Sequence, residues 1–409
     1  MINYCKKCVM PSTKPDLSFE DGICNACLNF ENRKKIDFKS REIELRKIFD
    51  KYRKKNGENF DCIIPVSGGK DSTWQVLQAL KYEMNPLCVC SRTCDLSEIG
   101  RKNLDNIRSL GVDLIEVAPN ADVRKKLNKI GLLELGDISW PEHVGIFTIP
   151  VQIAVNYKIP LIIWGENSQD EYGGPANSNK SKILDRSWLE EFGGLLGMRV
   201  SDLYAFEGIK YKDLIHYRYP EDEELKQVGV TGIFLGYFLP WDGLTNALVA
   251  QANGFKTHYE RVEGSLVNYE NLDNYHTGIH DYFKFLKFGF GRATDIICMQ
   301  IRRNRITREE GIELVSKLDG KFPWSYLGKS LEKILNPLNI SIDEFVDCCD
   351  KFTNKNIFMR ENNGTLIKDK FGNLERKYKP INLKIEEEKI ELDTKIVDIN
   401  VEKNGSWNS

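Results

Sequence analysis

The sequence predicts an α/β protein: a doubly wound parallel sheet, preceded by a four-cysteine metal site and followed by a mostly helical C-terminal region. Three observations support this prediction. Two C-x-x-C pairs lie within the first thirty residues, four short apolar runs alternate with helix-like segments up to about residue 175, and aromatic-rich helical and loop sequence follows. Strands that alternate with helices favour a parallel sheet that is covered on both faces.

The first thirty residues are predicted to form a zinc ribbon. Its ligands would be Cys5, Cys8, Cys24 and Cys27, in the spacing C-x2-C-x15-C-x2-C. Two thiolate pairs joined by a stretch long enough to fold back can close a tetrahedral site. Because cysteine fills all four positions, bound Zn²⁺ would be structural. Iron is the alternative metal, whereas a redox C-x-x-C would not explain a second pair.

The elements that follow are predicted in order along the chain. Residues 31–57 read as a charged amphipathic helix, and residues 58–175 as the α/β domain. Its four buried strands are expected at residues 60–66, 86–91, 112–118 and 160–165, because apolar runs with turn residues at their ends suit parallel strands. The helices between and around them are expected near residues 72–83, 97–110, 121–131 and 143–157.

The remaining sequence is divided into two parts. Residues 176–350 are predicted as a helical region that completes the functional site and is a candidate for a homodimer contact. Residues 351–409 are a C-terminal extension, and its last thirty or so residues could be an edge strand or a loose tail.

Composition excludes some classes of protein. The 409 residues carry a net charge of -2, which argues against a protein that mainly binds a nucleic-acid backbone. We find no run of about 18 apolar residues and no signal-peptide stretch, so we expect no membrane contact and a cytoplasmic location. The eleven cysteines should then be reduced, and clustered ones should be metal ligands or catalytic thiols.

A glycine-rich loop in the stretch IIPVSGGKDSTW, residues 63–74, predicts a nucleotide site. The loop follows a strand and opens a helix, where backbone N–H groups favour an anion. Gly68 and Gly69 let the main chain approach phosphate oxygens, Ser67 and Ser72 can donate hydrogen bonds, and Lys70 adds positive charge.

This loop is not a Walker A motif, because Lys70 is followed by Asp71 and not by Ser or Thr. S-G-G-x-D-S resembles the pyrophosphate loop of the PP-loop ATPases, a family with a HUP-like fold that includes asparagine, GMP and NAD synthetases and the tRNA thiolases. The resemblance implies that ATP binds here. A substrate oxygen would attack the α phosphate, pyrophosphate would leave, and Lys70 and Asp71 would be catalytic.

The stretch IIWGENSQDEYGG, residues 162–174, follows the fourth predicted strand and supports this interpretation. Ligands of open α/β sheets bind at the carboxyl ends of the strands. The stretch also resembles the late acidic motif that PP-loop enzymes present near the phosphates and magnesium, which implies that Gly165, Asn167 and Glu171 contact ATP and that Asp170 is catalytic. Mg²⁺ prefers carboxylate and phosphate oxygens, so Asp71 with Asp170 or Glu171 could hold it. An ordinary acidic loop is the alternative.

The combination of the cysteine array, the loop, GENSQDEYGG, FLKFGFGRATD and IRRNRITREEGIELV resembles the N-acetyl sugar amidotransferases over residues 1–350. These PP-loop enzymes serve surface-polysaccharide and flagellin-glycan pathways. The resemblance implies that the acetamido oxygen of an N-acetyl sugar, free or nucleotide-linked, is adenylated and replaced by ammonia nitrogen to give an acetamidino group. It also implies ammonia from a separate glutaminase and synthase-like subunit pair, since no glutaminase signature is present.

Other polar residues are assigned with less support from pattern. Lys287 and Arg292 lie in the segment most like the family and are predicted to contact ATP. His143, His276 and His280 could transfer protons near neutral pH, although capping or core roles are the simpler explanation.

Two rival functions are considered. A PP-loop tRNA thiolase would need a reactive cysteine, and Cys88, Cys90 and Cys94 are the candidates, although buried strand cysteines are usually inert. A zinc-ribbon interaction module on an inactive nucleotide fold is disfavoured by the intact loop.

Overall fold

The computed structural model describes residues 2–54, 57–166, 183–184, 198–206 and 208–377. The chain begins with a short antiparallel hairpin of β1 (Phe19–Glu20) and β2 (Ile23–Cys24). Residues 31–57 are not one helix as predicted, because α1 (Asn25–Arg33) and α2 (Phe38–Tyr52) are separate. The break has a local cause: the side chain of Asp37 accepts hydrogen bonds from the amides of Lys39 and Ser40 and so caps α2.

The main sheet has six strands in the order β5–β4–β3–β6–β8–β7. Their bounds are β3 (Cys62–Pro65), β4 (Pro86–Ser91), β5 (Asp113–Val117), β6 (Leu161–Trp164), β7 (Ile183–Leu184) and β8 (Thr231–Phe234). The first five in the order pair in parallel, and β7 is antiparallel at the edge. The four predicted strands and the parallel α/β fold are therefore confirmed.

Helices cover both faces of this sheet. They are α3 (Lys70–Lys81), α4 (Glu98–Ser109), α5 (Ala121–Ile130) and α6 (Trp140–Tyr157). Alternate residues of β3 point to opposite sides: Ile64 packs in the cluster that contains residues of α2, α3 and α4, and Ile63 packs with residues of α6. The doubly wound arrangement follows because both faces of each central strand are apolar and must be buried.

The chain reverses direction across the sheet between β3 and β6. From β3 it runs outward to β4 and β5, and it then crosses back so that β6 lies on the other side of β3. The carboxyl ends of β3 and β6 therefore flank the topological switch point, where open α/β sheets form their ligand crevice.

Two strands of the main sheet, β7 and β8, were not predicted. The segment Thr231–Phe234 pairs with β6 and extends the sheet, but it offers only four residues with a glycine among them, so its pattern did not stand out from the surrounding sequence.

Eight further helices follow α6 within the described residues; the first precedes β8, and the other seven come after it and form the helical region. They are α7 (Asp222–Val228), α8 (Leu235–Phe238), α9 (Gly243–Ala252), α10 (Thr277–Phe288), α11 (Arg292–Arg302), α12 (Arg308–Leu318), α13 (Leu331–Leu335) and α14 (Ile342–Phe352), with a small hairpin of β9 (Ser325–Tyr326) and β10 (Lys329–Ser330). None of the helices in the described ranges is both long and apolar enough to cross a bilayer.

The N-terminal and C-terminal segments share the core of this helical region. Buried Cys5 and Met10 belong to the same apolar cluster as Ile297 of α11, and Phe358 and Leu374 join it from beyond α14. Residues 353–377 therefore pack as part of the helical region. The predicted edge strand or tail near the C-terminus lies outside the described residues, which end at residue 377.

Candidate functional site

The glycine-rich loop lies at the carboxyl end of β3, and its shape depends on Gly68. This residue has φ +81°, in the left-handed region that favours glycine. A β-carbon at this position would also lie 2.9 Å from the amide nitrogen of Leu104 in α4. Both the backbone angle and the close approach of α4 therefore require glycine.

The loop presents unpaired amides at the start of α3. Gly69 is the N-cap and offers no capping side chain, so the amides of Lys70, Asp71 and Ser72 in the first turn have no partner within the helix. The hydroxyl of Ser72 donates to the carbonyl of Gly69 at 3.1 Å, and the hydroxyl of Ser67 accepts from the amide of Gly69 at 3.3 Å. Backbone amides at a helix N-terminus favour an anion, so residues 67–72 can serve as an anion-binding turn.

Lys70 is buried at the base of this turn between two carboxylates. Its ammonium lies 2.6 Å from Asp71 and 3.0 Å from Glu270. Burial alone would lower the pKa of Lys70, but Asp71 and Glu270 outweigh it and hold the pKa well above its usual range. Lys70 thus carries a fixed positive charge beside the anion-binding amides.

Asp71 is held by a residue from the helical region. Its second carboxylate oxygen accepts a hydrogen bond of 2.9 Å from the side-chain amide of Asn246 in α9. The N-terminus of α9 is in turn fixed by Asp242, which caps the helix and pairs with Arg303 and Arg305. The helical region therefore orients a side chain of the loop directly.

A cleft of about 300 Å³ opens beside the loop. It is lined by the whole turn from Ser67 to Ser72, by Gly100 and Asn103 of α4, by Glu166 after β6, by Trp241, Gly243 and Phe255, by residues 269–273, and by Arg292 and Met299 of α11. The volume suits a small-molecule ligand. Because the sheet supplies one wall and the helical region the other, neither part forms the cleft alone.

Carboxylates converge on this cleft. Asp71, Glu166, Glu270 and Asp273 all line it. Oxygen ligands of this kind, together with phosphate oxygens, are what Mg²⁺ prefers, so the residues present fit a magnesium-nucleotide complex.

Asp273 differs from the other carboxyls in its proton affinity. Burial raises the pKa of Asp273 to about 6. Its backbone carbonyl accepts a hydrogen bond from the amide of Ser97 at 3.0 Å, which ties the residue to the start of α4. A carboxyl that titrates near this pH can accept a proton during catalysis under physiological conditions.

The structure brings all six predicted loop residues together. Ser67, Gly68, Gly69, Lys70, Asp71 and Ser72 all line the cleft, and so does Arg292, whose guanidinium also pairs with Asp281 at 3.1 Å. Gly165 follows β6 beside this site, although its neighbour Glu166 is the residue that lines the cleft. The predicted positions Asn167, Asp170 and Glu171 lie outside the described residues.

Lys287 is not brought to this cleft. Its ammonium donates to the carbonyl of Leu135 at 2.6 Å and lies over the ring of Phe352. The other basic residues near it in sequence are also engaged: Lys284 pairs with Asp295, and Arg308 donates to the carbonyls of the cysteine site. The geometry therefore does not support Lys287 as a phosphate ligand, because a local carbonyl already holds its charge.

Sequence reasoning missed Glu270, Asn246 and Asp273. They come from α9 and from the stretch NYENLDNY, residues 268–275, which carries no spacing that is typical of a known motif. The only available signal was a cluster of acidic and amide residues in a turn-rich stretch.

The four predicted metal ligands come together. Cys5, Cys8, Cys24 and Cys27 are buried, and their sulfurs all lie within 4.8 Å of one another. The Cys5–Cys27 and Cys8–Cys24 sulfur separations are 3.9 and 3.7 Å. A tetrahedral zinc ion with Zn–S bonds of about 2.3 Å requires sulfurs about 3.8 Å apart. The cluster is therefore compatible with structural zinc.

The surroundings of the cluster suit a negatively charged tetrathiolate. The amides of Lys7, Cys8 and Cys24 donate to the sulfur of Cys5 at 3.3 to 3.4 Å. Arg308, in the first turn of α12, donates to the carbonyls of Cys5 and Cys8. The cluster thus joins the N-terminus to the helical region.

A family model matches the part of the chain that contributes the helical-region wall of the cleft. Residues 258–372 match the family model described as "LPS biosynthesis protein WbpG-like, C-terminal domain". The matched segment contains Glu270, Asp273 and Arg292. The chain shows no significant similarity to any curated protein.

Among solved structures, NMN synthetase from Francisella tularensis aligns with 14% sequence identity and a TM-score of 0.27, over 47% of this chain and 93% of that one. A similarity this low leaves the fold assignment to the strand order and the loop described above.

Proposed function

We propose that this protein is an ATP-dependent, AMP-forming amidotransferase that converts the acetamido group of an N-acetyl sugar into an acetamidino group. The observation that carries the proposal is the anion-binding turn of residues 67–72 at the switch point, with Lys70 held between Asp71 and Glu270. S-G-G-x-D-S is not a Walker A loop, and its resemblance to the pyrophosphate loop of the PP-loop ATPases implies that pyrophosphate is the group that leaves.

The chemistry explains why ATP is needed. An amide oxygen is a poor leaving group, so it first attacks the α phosphate of ATP and pyrophosphate leaves. Ammonia then attacks the carbon of the resulting O-adenylyl imidate, and AMP leaves with the former amide oxygen. The turn amides and Lys70 would hold the departing pyrophosphate, and positioning and charge stabilisation supply the rate enhancement.

Proton transfer is required in the second step. The attacking nitrogen must lose a proton as AMP departs. Asp273 lines the cleft, and a carboxyl with a pKa of about 6 is suited to accept that proton near neutral pH.

The family match supports a sugar substrate. The matching model is described as a lipopolysaccharide biosynthesis domain, and it covers the wall that contributes Glu270 and Asp273. We infer that the substrate is an N-acetylated sugar of a surface polysaccharide, and that a separate glutaminase and synthase-like pair supplies the ammonia.

A tRNA thiolase is the second candidate, and the cysteines disfavour it. Cys88 and Cys90 are buried in β4, and burial raises the pKa of each thiol, and that of Cys94, to about 12. A sulfur carrier reacts as the thiolate, which a high pKa suppresses.

The test follows the oxygen atom. The purified protein is incubated with ATP, ammonium and candidate N-acetyl sugars that carry ¹⁸O in the acetamido group. The proposal expects ¹⁸O in AMP, and a sugar in which NH has replaced oxygen. Release of ADP and orthophosphate, or of AMP without the label, contradicts it, and dependence on tRNA and sulfide would favour the thiolase.

Matched variants tie the reaction to the loop. Lys70→Ala removes the charge at the start of α3 and should abolish labelled AMP, whereas Lys81→Ala changes an exposed lysine in the last turn of the same helix and should have no effect. Equal activity in both variants would contradict the assignment of the loop.

A further inference from the structure

Asp137, His143 and His280 form a second cluster, which the proposed reaction does not use. The Nδ1 atom of His280 lies 2.8 Å from one carboxylate oxygen of Asp137, and Nδ1 of His143 lies 3.3 Å from the other. The two imidazole rings are 4.9 Å apart between centroids and meet edge to face. One ligand atom from each of the three residues lies within 4.8 Å of the other two.

The backbone holds Asp137 rigidly. It follows a π-helical turn, Gly131–Leu135, and its amide donates to the carbonyl of Gly131 at 2.9 Å. Gly136 has φ +60°, and a β-carbon there would lie 2.7 Å from the ring of Phe352, so this tight turn requires glycine. The amide of Ser139 donates to Asp137 at 2.9 Å and orients the carboxylate. Single π-helical turns are frequent at functional sites.

The two histidines come from distant elements. His143 lies in the first turn of α6 and His280 in the first turn of α10. Helix N-termini favour negative charge, so both helices stabilise the ionised form of Asp137. The cluster therefore joins the sheet domain to the helical region with a preformed set of nitrogen and oxygen ligands.

We propose that Asp137, His143 and His280 bind a divalent transition-metal ion, with Zn²⁺ as the representative case. Two imidazoles and one carboxylate are the ligand set of open zinc and iron(II) sites, which keep one or more positions for water or substrate. The exposures fit this: Asp137 is 4% exposed, whereas the side chains of His143 and His280 are 30% and 26% exposed. Asp137 is thus fixed in the protein interior, whereas the two imidazoles leave one side of the site open to solvent.

Neighbouring charges do not block the site. Lys287 is the nearby cation, and its ammonium is held by the carbonyl of Leu135. Glu142, next to His143 in sequence, pairs with Arg124, and Asp281, next to His280, pairs with Arg292. Arg292 also lines the cleft beside the loop, so the ion pair between Asp281 and Arg292 connects the proposed metal site to that cleft.

The test is the metal stoichiometry of the full-length protein. The cysteine cluster accounts for one ion, so the proposal expects two zinc ions per chain after loading with Zn²⁺ alone, by elemental mass spectrometry. After replacement with Co²⁺, the thiolate site gives intense sulfur-to-metal charge-transfer absorption, and the second site should add only weak d–d bands that are typical of nitrogen and oxygen ligands.

A useful variant distinguishes a role of the two histidines in metal binding from a role in hydrogen bonding to Asp137. His143→Asn with His280→Asn keeps donors that can bond to Asp137 but removes both nitrogen ligands. We expect this double variant to bind one zinc, to lose the weak Co²⁺ bands, and to bind the second ion at least about 100-fold more weakly. His216→Asn, which changes a histidine outside the cluster, should still bind two.

Two outcomes would overturn the proposal. If the parent protein binds one zinc per chain under saturating Zn²⁺, Asp137, His143 and His280 form a hydrogen-bonded cluster without a metal. If the double variant still binds two, the second ion lies elsewhere. Circular dichroism and the melting temperature of the variant establish that its fold is intact, and Asp137→Ala provides an independent removal of the oxygen ligand.

Discussion

The ammonium of Lys70, at the start of α3, lies 3.0 Å from the carboxylate of Glu270, in the segment between α9 and α10. This ion pair connects the loop of the sheet domain to the segment that matches the polysaccharide family model. It is buried on both sides, with side-chain exposures of 8% and 12%. The pair therefore positions the one lysine of the turn from across the cleft.

We predict that Glu270→Gln impairs the reaction while the protein still folds. Asp71 continues to neutralise Lys70, but the ammonium loses the partner that directs it from the opposite wall. Misplacement of a catalytic group by about 1 Å can cost about 100-fold in rate, and we expect a loss of that order in AMP release. Glu260→Gln, an exposed change nearby, is the control, and a Glu270→Gln variant as active as this control would contradict the role.

Gly68→Ala should abolish ATP binding and destabilise the fold. The residue has φ +81° and a β-carbon would lie 2.9 Å from the amide nitrogen of Leu104. Gly111→Ala is the matched control, since Gly111 has φ +88° but open space around a β-carbon. The backbone angle should cost about 1–2 kcal/mol in both variants, so a larger loss in Gly68→Ala measures the contact with α4.

Chemical denaturation of both variants and ATP titration measure these effects. Gly111→Ala should retain normal ATP affinity. Equal losses of stability, or unchanged ATP affinity in Gly68→Ala, would show that the turn does not need its present geometry.

The raised pKa of Asp273 predicts a pH dependence of stability. The unfolded carboxyl titrates near 3.9, whereas the folded one titrates at about 6. Between these values the folded state binds more protons than the unfolded state, so the contribution of this residue to stability falls as pH rises from about 4 to 6.

Asp273→Asn should remove that dependence and raise the free energy of unfolding at pH 7, by no more than about 3 kcal/mol. Denaturant titrations at several pH values measure it, with the exposed substitution Asp347→Asn as control. If the slope of stability against pH between 4 and 6 is the same in all three proteins, Asp273 does not titrate as described. The same variant tests the proposed proton transfer, because AMP formation should fall despite the higher stability.

Removing thiolates should cost the protein one metal ion and much of its stability. Cys24→Ser with Cys27→Ser leaves two of the four ligands, and the cluster is part of the core of the helical region. Structural zinc in small domains supplies about 10–16 kcal/mol of binding free energy, so the thermal transition should fall steeply. A strong chelator should have the same effect on the parent protein.

Cys94→Ser, a half-buried cysteine outside the cluster, is the control for this pair. Elemental analysis identifies the metal, and an iron signal in place of zinc would revise its identity. Unchanged metal content in the double variant would refute the site.

Local sequence was sufficient for the strands β3 to β6 and for the loop. Short apolar runs with turn residues at their ends, such as residues 86–91, are typical of strands covered on both faces, and the two glycines of S-G-G-x-D-S after such a run favour the tight turn in which Gly68 lies. The C-x-x-C spacing likewise identified the cysteine cluster, because each pair needs only a short turn to bring its sulfurs together.

Contacts between side chains that are far apart in the sequence could not be predicted from local patterns. The pairing of Lys70 with Glu270, of Asp71 with Asn246, and of Asp137 with His143 and His280 depends on how the helical region packs against the sheet. Lys287 illustrates the same limit. Its position in a family-like segment predicted contact with ATP, but in the fold its ammonium donates to the carbonyl of Leu135, at the end of the π-helical turn that follows α5.

The sequence alone therefore determined four strands of the parallel sheet, the position of the glycine-rich turn and the cluster of four cysteines, because each is signalled by residues that are near neighbours along the chain. Tertiary structure alone decided which carboxylates face Lys70 and which histidines meet Asp137. Those choices are made by the burial of apolar helix faces, and an apolar pattern specifies that a face is buried but not which distant side chains it brings together.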